Sequence, residues 1–277
     1  MKRPFKKFLG IDLGGGRGKT TAIAEIHLSP SGEASVMEVA TRSNRRPWTD
    51  DELIDRLGQP DPETAIAIDA PLTQVACSRC IREACPGMQV CEEPAVAWLR
   101  TTGRMLVTNV AAETVDAGPR VQLTAQARLA PYTHRATDVM MTYERGLLPL
   151  SALGTANGQI AARAGQLRRR LQGCGYRLHD NLIEVSPAAT VAALCGDRAA
   201  RGYKRDADPW RTRAMVLEQL RDLSFSLRSR MAREDVLGND HCFDAVVAAY
   251  TAYLWARDGW KSPEGWLADD GWIQAPP

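Results

Sequence analysis

The chain has 277 residues, 44% of them hydrophobic, with 35 basic and 33 acidic side chains and a formal charge of +2. That supplies core for one large domain or two small ones, and the near balance of charge excludes a global electrostatic signature of nucleic-acid binding, so any such role rests on local patches. The basic start, Met1 to Lys7, meets an apolar run broken at once by Asp12 and its glycines, which predicts no signal peptide; no stretch is long enough to span a membrane, and seven cysteines without an export signal predict a reduced, cytoplasmic setting.

In chain order, Leu9 to Asp12 predicts a buried strand, Gly14 to Gly18 a hairpin loop, and Thr20 to Leu28 a second strand, because that run is β-branched and lacks a helix cap. The glycines do not make a phosphate-binding loop, whose first Gly would fall on Leu13. They do not make a dinucleotide fingerprint either, whose third Gly would fall on Lys19 or Thr21. Asp12 ends an apolar strand beside a turn, where metal-dependent phosphoryl chemistry is often anchored; its plainer role is to cap the strand end. Ser29 to Gly32 is turn chemistry and Ser35 to Ala40 alternates as a third strand, giving three consecutive antiparallel strands. Thr49 or Asp50 caps a helix over 51–57, closed by Gly58 and Pro60. The next strand, Thr64 to Pro71, ends in a second carboxylate, Asp69.

From Cys77 to Pro131 the periodicity weakens, which marks an insertion. It carries Cys77-x2-Cys80-x4-Cys85-x5-Cys91, four soft ligands in one short loop, a set that suits zinc or a [4Fe-4S] cluster. A helix holding Arg135, Asp138 and Tyr143 follows, then a longer one from Gly158 to Cys174 with apolar residues at Ile160, Ala164, Leu167 and Leu171; its Arg168-Arg169-Arg170 run reads as a solvated face. Leu182 to Ser186 is a strand with a third carboxylate, Glu184, stopped by Pro187. After it come a helical stretch from Ala188 to Leu194, a basic loop over 201–205, and a helix from Trp210 through Met231. The closing helix runs from Asp240 to about Arg257, with Ala245, Ala248, Ala249 and Ala252 as a small-residue packing face. Trp260, Trp266 and Trp272 in the tail pack back on the domain, and Cys174, Cys195 and Cys242 read as core residues.

Asp240, His241 and Asp244 open that last helix, and positions three and four apart share a helix face. Acidic residues favour a helix N-terminus in any case. Asp244, however, sits among Phe243, Ala245, Val246 and Val247, where an unpaired charge is expensive and a metal or partner removes that expense.

The order of elements and acids is similar to the ribonuclease H-like fold: an α/β mixed sheet flanked by helices, here as a single domain over 1–277 with the cysteine-rich insertion at 77–131. The motifs Gly10-Ile11-Asp12, Ile68-Asp69-Ala70-Pro71, Arg135-x-x-Asp138, Glu184-Val185-Ser186-Pro187, Gly202-Tyr203-Lys204 and Asp240-His241-x-x-Asp244-Ala245 resemble domain-of-unknown-function family 429, a group of predicted nucleases. The His-x-x-Asp-Ala element is also similar to Holliday-junction resolvases of the RuvC type. Ser186 departs from the larger His or Tyr expected before the Pro. The resemblance implies metal-dependent phosphodiester hydrolysis with a nucleic acid of unspecified type as partner. Two Mg²⁺ or Mn²⁺ ions would be held by Asp12, Asp69 and Asp244, with Glu184, Asp240 or His241 completing the shell and Lys19 or Arg135 facing the phosphate. One alternative is an ATPase of the sugar kinase, actin and activator-ATPase kind, some of which carry an iron–sulfur cluster, with Gly14 to Thr20 gripping phosphates. Against it, the strand-turn-strand unit occurs in one convincing copy. A second alternative is a non-catalytic, metal-stapled interaction module. The oligomeric state is left open.

Overall fold

The first three strands form an antiparallel meander: β1 (Lys7–Asp12), β2 (Ala22–Leu28) and β3 (Ala34–Ala40). The structure, a computed structural model, describes residues 3–15, 20–107, 129–145, 157–226, 233–261 and 263–277. A small ribbon of β4 (Arg42–Ser43) and β5 (Arg46–Pro47) leads on to β6 (Thr64–Asp69), which runs parallel to β1 and sets Asp69 opposite Asp12. Parallel strands β7 (Leu182–Val185), β8 (Leu223–Phe225) and β9 (Ile273–Gln274) complete a seven-stranded mixed sheet of order β8-β3-β2-β1-β6-β7-β9.

The helices described are α1 (Asp50–Leu57), α2 (Pro94–Trp98), α3 (Ala136–Arg145), α4 (Gly158–Cys174), α5 (Pro187–Cys195), α6 (Asp197–Arg205), α7 (Pro209–Gln219), α8 (Arg233–Gly238), α9 (Asp240–Asp258) and α10 (Trp266–Asp270). Among the described residues no helix is long and apolar enough to cross a membrane. Helices cover both faces of the sheet, and the two-residue period of a strand decides which side chains meet which layer. Phe8, Ala24, Ala65, Ala67, Ile183 and Val185 pack toward α9 and its neighbours α5, α6 and α7. Leu9, Ile11, Ile66, Ile68 and Leu182 pack the other way, against α1 and α4. Every other residue of β1 and β6 therefore faces α9, and Asp12 and Asp69 are the last of that series.

Local chemistry explains most boundaries. Thr49 and Glu52 form a reciprocal capping box at α1, and Gly58 closes it. Gly175, at φ +106°, ends α4 in the left-handed region where glycine carries no steric cost. In three places the structure differs from the sequence expectation. The predicted basic loop over 201–205 is the second half of α6, because Ala199 and Tyr203, four apart, bury one face while Arg201, Lys204 and Arg205 stay exposed. The predicted helix from Trp210 stops at Gln219; Leu223-Ser224-Phe225 alternates as a strand and pairs in parallel with β3, and residues 227–232 lie outside the described set. Pro187 begins α5 rather than merely ending β7, since its missing N–H costs nothing at the first turn of a helix.

Candidate metal centre

The approach of α9 to β1 is set by Gly10. A Cβ on Gly10 would lie 2.1 Å from the Ala245 carbonyl oxygen and 2.3 Å from the Ala249 nitrogen, so only glycine lets the helix backbone settle directly on the strand. The small side chains of Ala24, Ala65 and Ala67 on the sheet and Ala245, Ala248 and Ala249 on the helix continue the close contact. Asn239 caps α9, its side-chain oxygen accepting from the backbone of His241 (3.0 Å) and Cys242 (3.3 Å). That start places Asp244 one turn inside the helix, over the ends of β1 and β6.

Asp12, Asp69 and Asp244 converge there, each offering a carboxylate oxygen within 4.8 Å of the others. Asp244 is 1% exposed, and its shielded carboxylate is held by the Lys204 ammonium and the Tyr203 hydroxyl. From α6, the Lys204 ammonium lies 2.5 Å from Asp244 Oδ2, and the adjacent Tyr203 packs on Phe243 with tilted rings, 5.2 Å between ring centres. Arg213 fixes this part of α6 by donating to the Tyr203 carbonyl (2.8 Å) and to that of Leu237 (2.7 Å). On the open side His241 Nδ1 is 2.6 Å from Asp12 Oδ2.

Crowded like charges in a dry setting shift the acids in a consistent direction. Burial, then Asp12 and Asp244, push the Asp69 carboxyl well above the ordinary range. Burial raises Asp244 to about 6, opposed by Lys204 and assisted by Asp12. Lys204 is drawn down by burial but raised more by Asp244 and Asp69, and the hydrogen bond to Asp12 raises His241. Three carboxylates against one ammonium leave a surplus of negative charge in a place that favours neutrality. All-oxygen donors at this spacing, with that surplus of negative charge, fit a hard divalent cation.

The other sequence candidates are placed as follows. Asp240 is half-buried in the first turn of α9, beside His241 and outside the convergent trio. Glu184 takes a different position from the expected one. In β7 it is paired with Ile68, so the strand alternation turns it to the face opposite Asp12 and Asp69. There its oxygens accept from the Leu72 backbone (2.8 Å) and from both terminal nitrogens of Arg135 (2.6 and 2.9 Å). Arg135 is likewise placed away from the expected phosphate contact: it is 1% exposed, and its remaining donors go to Asp138 and Thr73. Lys19 lies outside the described residues. The cysteine loop is mostly exposed, with Cys91 half-buried. Sequence reasoning did not assign roles to Lys204 and Arg163. Lys204 stood within the Gly202-Tyr203-Lys204 motif, and its helical setting was the missing signal. Arg163 of α4 donates to the Gly14 carbonyl (2.6 Å) and to Thr21 (2.9 Å) while pairing with Asp50, and so braces the turn that follows Asp12.

Fold and site together define a mixed α/β protein in which two neighbouring parallel strands and one helix deliver three acids to a single point. The chain belongs to the DUF429 family, described as a protein of unknown function, whose profile matches residues 10–264. The match spans Gly10, all three acids and Lys204. No curated protein and no solved structure matches the chain.

Proposed function

We propose that the protein is a metal-dependent nuclease of the ribonuclease H-like kind, hydrolysing phosphodiester bonds at the Asp12, Asp69 and Asp244 cluster. The observation that carries this reading is the meeting of those three carboxylates within 4.8 Å, held together against their mutual repulsion. The strand order β3-β2-β1-β6-β7, with acids at the ends of the first and fourth of the long strands and on a late helix, supports it. Bound between the acids, Mg²⁺ or Mn²⁺ would supply Lewis-acid charge on a phosphate oxygen and ease deprotonation of the attacking water.

The chain's own groups divide the remaining work. Lys204 neutralises one carboxylate and fixes Asp244, so that the protein alone presents two net negative charges from this quartet, enough for one divalent ion; a second would arrive with the substrate's phosphate. With Nδ1 held by Asp12, His241 keeps Nε2 to exchange a proton with water or the leaving oxygen. Arg163 ties Gly14 to Thr21 just beyond Asp12 and so steadies the strand ends that carry the acid.

The test is incubation with labelled single-stranded, duplex, hybrid and branched DNA and RNA in Mg²⁺ or Mn²⁺. Cleavage is expected for one of these classes. Asp12→Asn should abolish it while leaving the circular dichroism spectrum and melting temperature close to those of the parent. Cleavage that survives in Asp12→Asn, or no cleavage of any substrate by the parent, overturns the reading; calorimetric binding of ATP in the latter case would favour the kinase-like alternative.

A further inference from the structure

We propose that Cys77, Cys80, Cys85 and Cys91 hold a second, independent inorganic centre, bound through four thiolates as zinc or an iron–sulfur cluster is. Cysteine is among the residues most often buried, yet three of these four are exposed and all four are free thiols, so a core role does not account for them. The loop also lacks apolar packing of its own. Between residues 77 and 93 it makes one short 3-10 turn, and only Met88 and Cys91 lean on the small cluster of Ala76, Ala95 and Val96. An ordered segment of this length without a core needs another source of cohesion.

Backbone hydrogen bonds give the loop its shape. Cys77 N donates to the Pro131 carbonyl at 3.2 Å, and Gly87, at φ +86°, accepts from the amides of Val90 and Cys91, turning Cys91 back along the loop. Arg100 gathers the carbonyls of Met88, Gln89 and Cys91 at 2.8 to 3.0 Å and holds that turn.

Four thiolates serve two metal chemistries. A lone zinc ion with Zn–S bonds of about 2.3 Å draws its sulfurs to roughly 3.8 Å of one another. A cluster in which each thiolate binds its own iron keeps the sulfurs farther apart, and both need four soft ligands from one short loop. The loop starts eight residues beyond Asp69. It is tied to the core through Arg79, which pairs with the buried Asp270 at 3.0 Å, so the centre would fix the chain that leaves β6.

The experiment is anaerobic purification of the full chain from cells supplied with iron and zinc. Bound metal is expected, either as a brown protein absorbing at roughly 400 nm with about four irons and four sulfides per chain, or as a colourless one with about one zinc. Cys80→Ser with Cys85→Ser should lose most of that metal, whereas Cys174→Ser with Cys195→Ser should keep it. Metal-free protein with four readily alkylated thiols would overturn the site. Should the double variant prove insoluble, the metal and sulfide content of the parent decides alone. Divalent-cation binding at the carboxylate trio, measured separately, is expected to persist in soluble cysteine variants.

Discussion

At the scale of single residues, Asp244 and Lys204 carry the sharpest expectations. The Asp244 carboxyl, raised to about 6, prefers its proton more in the folded chain than in the unfolded one. Its stabilising share is therefore present in acid and fades as pH rises from the ordinary carboxylate range through about 6. The loss is on the order of 2–3 kcal/mol for a shift of this size. Divalent cations compete with that proton. Affinity for Mg²⁺ or Mn²⁺ should climb as pH rises through about 6, and go on climbing while Asp69 still holds its proton, as titration calorimetry at several pH values would register; a flat profile would show that no buried acid titrates on binding. Lys204→Ala removes the ammonium beside a carboxylate that is 1% exposed. The variant should melt lower without metal and gain more than the parent does from Mg²⁺. An equal Mg²⁺-induced rise in both proteins would dismiss Lys204 as the neutralising charge.

At the scale of elements, the site depends on how close a helix can come to a strand. Gly10→Ala sets a methyl group against the backbone of α9, at 2.1 Å from Ala245 O, and backbone has little freedom to yield. Overpacking of this kind costs about 3 kcal/mol, or roughly 6–12 °C in melting temperature for a chain of this size, and lifts Asp244 away from Asp12. Thermal melts and cation binding should fall together; a variant with the parent's melting temperature would mean that α9 sits farther off than described. On the opposite face, Arg135→Met leaves Glu184 and Asp138 buried without their shared partner, a loss of about 3–5 kcal/mol. Because Arg135 does not reach the trio, folded Arg135→Met should still bind the cation, and loss of binding without loss of stability would return Arg135 to the site.

The same elements show what a reader of the sequence can and cannot see. β1, β2, β3, β6 and α4 were legible because apolar periodicity and turn residues agree there, and Asp12, Asp69 and Asp244 stood out as charges in apolar runs. Glu184 stood out equally, but which face a strand residue takes depends on register with its neighbour, and register is a tertiary fact. α6 was hidden because its exposed face is so basic that the buried pair, Ala199 and Tyr203, is easily overlooked. β8 and β9 were missed for a different reason: three-residue and two-residue strands carry almost no pattern and exist because an open sheet edge accepts them.

At the scale of the whole molecule, distant segments are locked by a few buried polar ties. Asp270, fully buried near the end of the chain, accepts from Arg79 at 3.0 Å and from the first amide of α3 at 2.7 Å, while its carbonyl accepts from Thr73 at 2.8 Å. Asp270→Ala should strand the Arg79 guanidinium and the Ala136 amide, lower the melting temperature, and make the bonds near Arg79 and Arg82 newly sensitive to trypsin. Unchanged digestion would show that the cysteine loop is held by something else.

The two acids of β1 and β6 are neighbours through a simple parallel pairing, but the third belongs to a helix that lies more than 170 residues further along the chain. A ribosome therefore releases Asp12 and Asp69 long before Asp244 exists, and the nascent sheet carries only two of the three acids. The trio is complete once α9 has been made and has docked onto Gly10, so whatever the three acids do together is delayed until nearly all of the chain has been translated.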